Sequence, residues 1–175
     1  MKSKPPQCDG CPARDRSVGF VPPSGPESAT LAIVGQGPGE QEATFDEPFY
    51  PLAPSGSMLT RWLSRAGFKR SELLITNSVW CWLPAKRFNS TSGQGNRDPQ
   101  PQEIAECWKR HLGPLLLRMP NLQRIVPVGT PALRWFFSLP AGRAAERYAG
   151  TTRRVDLLQL GQDGQQGDDD DGNER

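Results

Sequence analysis

The sequence predicts an α/β protein, a three-layer αβα arrangement with helices on both faces of a central, mainly parallel sheet. Three β-rich runs, residues 30–35 (TLAIVG), 73–80 (LLITNSVW) and 124–129 (RIVPVG), each precede a stretch of helical periodicity. Strand followed by helix three times over is the pattern of parallel βαβ units, whose crossover helices must cover the sheet. Gly and Pro, at 18 residues each, supply too many turn formers for a long-helix bundle or coiled coil.

Each helical stretch has its own signature. Residues 57–66 set Met58, Leu59, Trp62 and Leu63 at spacings of three and four, which predicts one apolar face. Residues 101–119 repeat the pattern with Ile104, Cys107, Trp108, Leu112, Leu115 and Leu116 and read as one helix. At the third, Thr130 is read as the N-cap with Pro131 as the first helical residue, and Leu133, Trp135, Phe136 and Phe137 form the apolar side. Around the body of residues 27–160, residues 1–26 read as a Pro- and Gly-rich loop. Residues 161–175 contain no apolar side chain to bury and read as a disordered acidic tail.

Charge is unevenly shared. The chain nets +2, but Asp163, Asp168, Asp169, Asp170, Asp171 and Glu174 stand against Arg175 alone at the end, so the first 160 residues carry a surplus of seven positive charges. A basic body suits a polyanion such as nucleic acid, and equally suits plain solubility. No stretch approaches the ~18 apolar residues of a spanning helix, and MKSKPPQCDGCPARDR lacks the apolar core of a signal peptide. A soluble cytoplasmic protein without a membrane partner is expected.

Four cysteines invite a ligand. Cys8 and Cys11 form a C-x-x-C in a loop, Cys81 follows the second strand, and Cys107 lies within the second helical stretch. Nothing signals export, which argues against disulfides, and Cys8 lacks the strand-to-helix setting of a redox-active pair. One tight pair plus two scattered single cysteines leaves an iron–sulfur cluster, zinc, or a pair with two apolar core cysteines.

In parallel sheets, ligands gather beyond the carboxyl ends of the strands. There the first strand runs into Gly35-Gln36-Gly37-Pro38-Gly39. A dinucleotide fingerprint would need Gly where Glu40 stands, and no Gly-Lys-Ser/Thr follows for a P-loop. What remains is a backbone able to offer N–H donors to a ligand oxygen, or simply a tight turn that needs glycine. Lys86, Arg87 and Arg97 flank the polar run NSTSGQG of residues 89–95, placed to approach phosphates or to serve as surface charge.

Taken together, VGQGPGEQEATFDEPF (34–49), SGSMLTRWLSRAGF (55–68), LLITNSVWCWLP (73–84), NRDPQPQEIAEC (96–107) and RIVPVGTPALRWFF (124–137) resemble the family 4 uracil-DNA glycosylases. The likeness runs in unbroken order from Cys8 to about Phe137. It implies a uracil-DNA glycosylase-like fold and a DNA-repair hydrolase that excises uracil from DNA as a monomer, in a prokaryotic or phage nucleoid. It also implies that Cys8, Cys11, Cys81 and Cys107 hold a structural [4Fe-4S] cluster, with zinc as the alternative. Phe49 corresponds to the stacking aromatic of the family and Asn77 to its base-reading asparagine. Gly35, Pro38 and Gly39 belong with Gln36 and Gly37 to the loop whose backbone meets the base, Glu42 is the acid at the edge where a thymine methyl would fall, and Gln36, Gly37 and Glu42 are the catalytic residues the resemblance implies.

Two departures bear on activity. Gln36 stands where most members have Glu. The late His-Pro-Ser type motif, whose imidazole donates to uracil O2, is missing; the one histidine, His111, reads as a surface or partly buried helical residue. After about Leu139 the likeness stops, and Arg153 and Arg154 lie in roughly the part of the chain order where the missing motif would stand. A longer gap between Cys81 and Cys107, rich in Gly, Ser and Asn, can bulge as a loop at modest cost. These departures keep a second function in view, a non-catalytic iron–sulfur module that binds uracil or single-stranded DNA. A zinc-stabilised interaction domain is a third.

Overall fold

The structure is a computed structural model and describes residues 1–85, 95–138 and 157. Lys86, Arg87, Arg153, Arg154 and the acidic tail lie outside the described residues. Strand β1 (Leu31–Gly35) is buried from Ala32 onward, the mark of a strand covered on both faces. The chain turns through the Gly-rich loop into α1 (Glu40–Phe45), continues into α2 (Pro54–Arg65) and returns as β2 (Leu74–Asn77). A small antiparallel pair, β3 (Pro84–Ala85) and β4 (Gly95–Asn96), leads to α3 (Pro101–Cys107). One π turn, Trp108–Leu112, joins α3 to α4 (Gly113–Arg118), and β5 (Arg124–Pro127) and α5 (Thr130–Phe137) complete the order.

The sheet runs β2-β1-β5 with every pairing parallel. Alternating residues feed two cores. Ile33 and Ile75 pack with Leu59 and Leu63 of α2 on one face. Ala32, Val34 and Leu74 pack with Ile104, Cys107, Trp108, Leu112, Leu115, Leu116, Phe136 and Phe137 on the other. Helices therefore cover both faces, and the three layers expected from the sequence are present.

The N-terminal segment is woven into this sheet. Ser24 exchanges backbone hydrogen bonds with Ile75, and Val18 exchanges them with Trp82, both antiparallel. These bonds cover the free edge of β2 and carry the Cys8–Cys11 loop back to the end of that strand.

Local differences from the expected elements have physical reasons. In α2 the buried stripe is Gly56, Leu59 and Leu63, while Met58 and Trp62 are 48% and 53% exposed. Gly56 sets that face, since a Cβ there would lie 1.9 Å from the Tyr50 carbonyl oxygen. The single helix expected over residues 101–119 is widened by its π turn, in which the Gly113 N–H bonds the Trp108 carbonyl. Pro114 has no N–H to give the Arg110 carbonyl, and the wider turn relieves the clash its ring would make. Gly129, at φ 91°, is the N-cap of α5, so Thr130 is its first helical residue and not the cap. Strand β2 stops at Asn77 because the Ser78 N–H and hydroxyl both turn to the Gly35 carbonyl, at 2.8 and 2.9 Å. No helix among the described residues is long and apolar enough to cross a membrane.

Candidate base pocket and cysteine cavity

Sheet register places the last residue of β1, Gly35, beside the last residue of β2, Asn77. A Cβ on residue 35 would lie 2.3 Å from Asn77 Oδ1 and 2.6 Å from two carbons of the Phe49 ring. The missing side chain is thus what lets an aromatic ring and a carboxamide meet at the strand ends. Phe49 has φ 50°, in the left-handed region that costs a bulky residue about 1–3 kcal/mol. Its surroundings hold it there: the Phe49 N–H donates to Glu42 Oε1 at 2.5 Å, and Arg70 donates to the Pro48 carbonyl at 3.1 Å.

Glu42 closes the loop as well as the ring. Its Oε2 accepts the Gly39 N–H at 2.7 Å, so both carboxylate oxygens are committed to backbone donors. Burial pushes the Glu42 carboxyl above its ordinary range, partly countered by the N–H groups of Gly39 and Phe49, the Asn77 carboxamide and Arg70. Asn77 is 3% exposed, and although its carboxamide favours the charged form of Glu42, Nδ2 meets no acceptor in hydrogen-bonding geometry among the described residues. A buried donor left unpaired costs about 1–3 kcal/mol, and a ligand oxygen would recover it.

The other loop residues are braced from below by the β4–α3 connection. Gln36 donates from Nε2 to Asp98 Oδ1 at 2.6 Å, and its carbonyl accepts the Val79 N–H. A Cβ on Gly37 would lie 2.9 Å from Val79, and one on Gly39 3.2 Å from Asn96 Nδ2; Asn96 itself accepts from Trp82 Nε1 at 2.8 Å. Pro38 is buried within the turn. Asn96 and Asp98 went unremarked in the sequence, although both lie in NRDPQPQEIAEC. Arg97 makes a two-pronged ion pair with Glu103, at 2.7 and 2.6 Å. Burial alone would raise the Glu103 carboxyl, but hydrogen bonds from Arg97 and the Gln100 N–H hold it below its ordinary range.

All four cysteines line one cavity, with Phe20, Val79, Trp80, Glu103, Arg110 and His111. They arrive from the N-terminal loop, the end of β2 and α3. Burial first, and then the charges of the neighbouring thiols, raise the pKa of Cys8, Cys81 and Cys107. Among the described residues no three His, Cys, Asp or Glu side chains close on a point that one metal ion could hold. His111 belongs to this cavity and is half-buried, as expected, with Nε2 3.2 Å from Cys8 Sγ. Trp80 links the two sites: it lines the cysteine cavity, and its Nε1 donates to the Asn77 carbonyl at 3.0 Å.

The family described as the uracil DNA glycosylase superfamily matches residues 22–166. The chain belongs to the uracil DNA glycosylase superfamily. The match passes Leu139, where the motif-by-motif likeness ends. Curated relatives within reach of this superfamily member include the type-4 uracil-DNA glycosylase of Archaeoglobus fulgidus, 32% identical over 132 residues, covering 75% of this chain and 59% of the relative. Those of Pyrobaculum aerophilum and Thermotoga maritima are each 31% identical, over 80% and 74% of this chain and 64% and 60% of the relatives. The chain therefore spans about three-fifths of the length of these relatives.

Proposed function

We propose that this chain excises uracil from DNA by hydrolysing the N-glycosidic bond, with Gly35–Gly39, Phe49 and Asn77 as its base pocket. The observation that carries the reading is the buried Nδ2 of Asn77, which meets no acceptor in hydrogen-bonding geometry among the described residues, at the strand ends where the Phe49 ring also lies. A nucleotide turned out of the duplex would stack on Phe49, an interaction worth roughly 1–3 kcal/mol. Asn77 Nδ2 then donates to uracil O4 and Oδ1 accepts N3–H, whereas cytosine would oppose a donor to a donor and leave both groups mispaired. Backbone N–H groups of the Gln36–Gly37 turn hold the base as negative charge grows on the departing ring. Glu42 acts by keeping the loop and Phe49 in place. The partner is uracil-containing DNA, met by a monomer in the cytoplasm.

Four soft thiol donors from three segments around one cavity fit a structural [4Fe-4S] cluster held by Cys8, Cys11, Cys81 and Cys107. The positive charge of such a group would relieve the mutual repulsion of the thiolates and tie the three segments together.

One observation favours a second reading, binding without cleavage: His111, the one histidine in the sequence, lies at the cysteine cavity and not at the strand ends. A lost donor of this type costs about 10²–10³ in rate. The test is incubation with single- and double-stranded DNA carrying one uracil, followed by alkali. Strand breaks at uracil, at a rate below that of an imidazole-bearing relative, support excision; tight binding without breaks selects the binding module.

A further inference from the structure

We propose that His111 is the hydrogen-bond donor that positions the Cys8 sulfur and tunes the group held there. The proposal rests on the iron–sulfur reading for its redox consequence. His111 Nε2 and Cys8 Sγ meet at 3.2 Å across 103 positions of sequence. The contact is built from the π turn: Cys107 ends α3, His111 lies within the widened turn, and both side chains line the same cavity.

The imidazole has little freedom to leave. It stacks on Trp80 with centroids 5.1 Å apart and planes 26° from parallel, and it meets Phe20 edge-on at 5.4 Å. Its neighbour Arg110 fixes the backbone on either side of Cys8, donating to the Gln7 carbonyl at 2.9 Å and the Asp9 carbonyl at 2.6 Å. Glu106 holds Arg110 in turn, accepting from Nε at 2.6 Å. Two adjacent side chains of one turn therefore grip three consecutive residues of the N-terminal loop, with His111 on the sulfur.

Chemistry assigns the direction of the bond. A ligating thiolate is an acceptor only, so Nε2 must carry the proton. A donor aimed at a ligating sulfur draws off electron density and stabilises the more negative, reduced state of the group, which raises its reduction potential. His111 is thus a positioning residue whose effect differs from that of mere packing.

The test compares full-length wild type, H111L and H111Q purified without oxygen, measuring iron and sulfide content, reduction potential by spectroelectrochemistry, and the rate of metal loss to a chelator. The expected result is a lower potential and loss about 10–100-fold faster in H111L, with H111Q, which keeps a donor, moving both back toward wild type. H111L and wild type with the same potential and loss rate overturn the proposal. If H111L cannot retain the group at all, retention in H111Q supports the donor role and loss from both overturns it. A colourless wild type that carries zinc defeats the iron–sulfur reading alone. The His111 contact is then judged by zinc release, faster in H111L if the proposal holds and equal if it fails. Wild type without any metal overturns both.

Discussion

Glu42, which accepts the Phe49 N–H, and Asn77, which meets the Phe49 ring over Gly35, treat buried polarity in opposite ways. Both oxygens of Glu42 are taken by backbone N–H groups, whereas Asn77 Nδ2 is unpaired among the described residues. Replacing Glu42 by Ala would strand the Gly39 and Phe49 donors at about 1–3 kcal/mol each and release Phe49 from its left-handed conformation. E42A is therefore expected to lower both the urea midpoint and uracil excision. The proton linkage has a definite sign. Burial makes the folded protein hold the Glu42 proton more tightly than the unfolded chain does, so this contribution is fullest below the ordinary value of 4.5 and is lost as pH rises through the raised folded value. The stability of wild type relative to E42Q should shift in favour of wild type as pH falls from neutral toward 4.5. Denaturant titrations of both proteins across that range read it directly, and a flat difference would remove Glu42 from the account. Gly35→Ala tests the other wall: its methyl would overlap Asn77 and Phe49, so excision should fall sharply while overpacking costs about 1–3 kcal/mol.

At the scale of elements, α3 and its flanking turns hold more of the site than the sequence suggested. The strand-then-helix order was legible because apolar runs and apolar stripes are local signals. The π turn was not, because residues 101–119 keep a helical apolar pattern throughout, and the one sign of trouble was Pro114 far enough in to lose a hydrogen bond. The wrong face assigned to Met58 and Trp62 has a similar origin, since Gly56 adds nothing to an apolar count yet sets the approach of α2 to Tyr50. Arg97 reads in the sequence as a phosphate contact or as surface charge; in the fold it pairs with Glu103, whose side chain is only 5% exposed. Arg97→Ala would leave the buried Glu103 carboxylate with the Gln100 N–H alone, and about 1.5–3 kcal/mol of stability should go with the lost pair. Thermal unfolding together with the salt dependence of DNA binding separates the two roles: a large drop in Tm with an unchanged salt slope marks a structural arginine. Trp80→Phe keeps an aromatic ring but removes the bond to the Asn77 carbonyl, worth about 0.5–1.5 kcal/mol, on top of the packing lost with the larger indole, and should loosen uracil selectivity as well as stability.

Over the whole molecule, the N-terminal loop, the end of β2 and α3 meet at one cavity although 99 positions separate Cys8 from Cys107. That convergence could be anticipated only through the ordered likeness of several segments, since spacing alone left cluster, zinc and plain core cysteines open. The cluster proposed for these cysteines would tie a span comparable to that of a disulfide, about 2–4 kcal/mol or roughly 4–16 °C in Tm, so Cys107→Ser or chelation should lower the unfolding midpoint by that order. The same three segments bracket Trp80, and through it Asn77, which gives the cavity a structural bearing on the base pocket. In the function proposed, the strand-end carboxamide of Asn77 reads uracil. The most direct measurement is single-turnover abasic-site formation on matched DNAs carrying uracil or cytosine, for wild type and Asn77→Asp side by side. The account predicts cleavage at uracil alone by wild type, with Asn77→Asp losing about tenfold or more of its rate at uracil because an acceptor replaces the donor to O4. Equal rates at uracil for the two proteins, or no preference for uracil over cytosine in wild type, would contradict it.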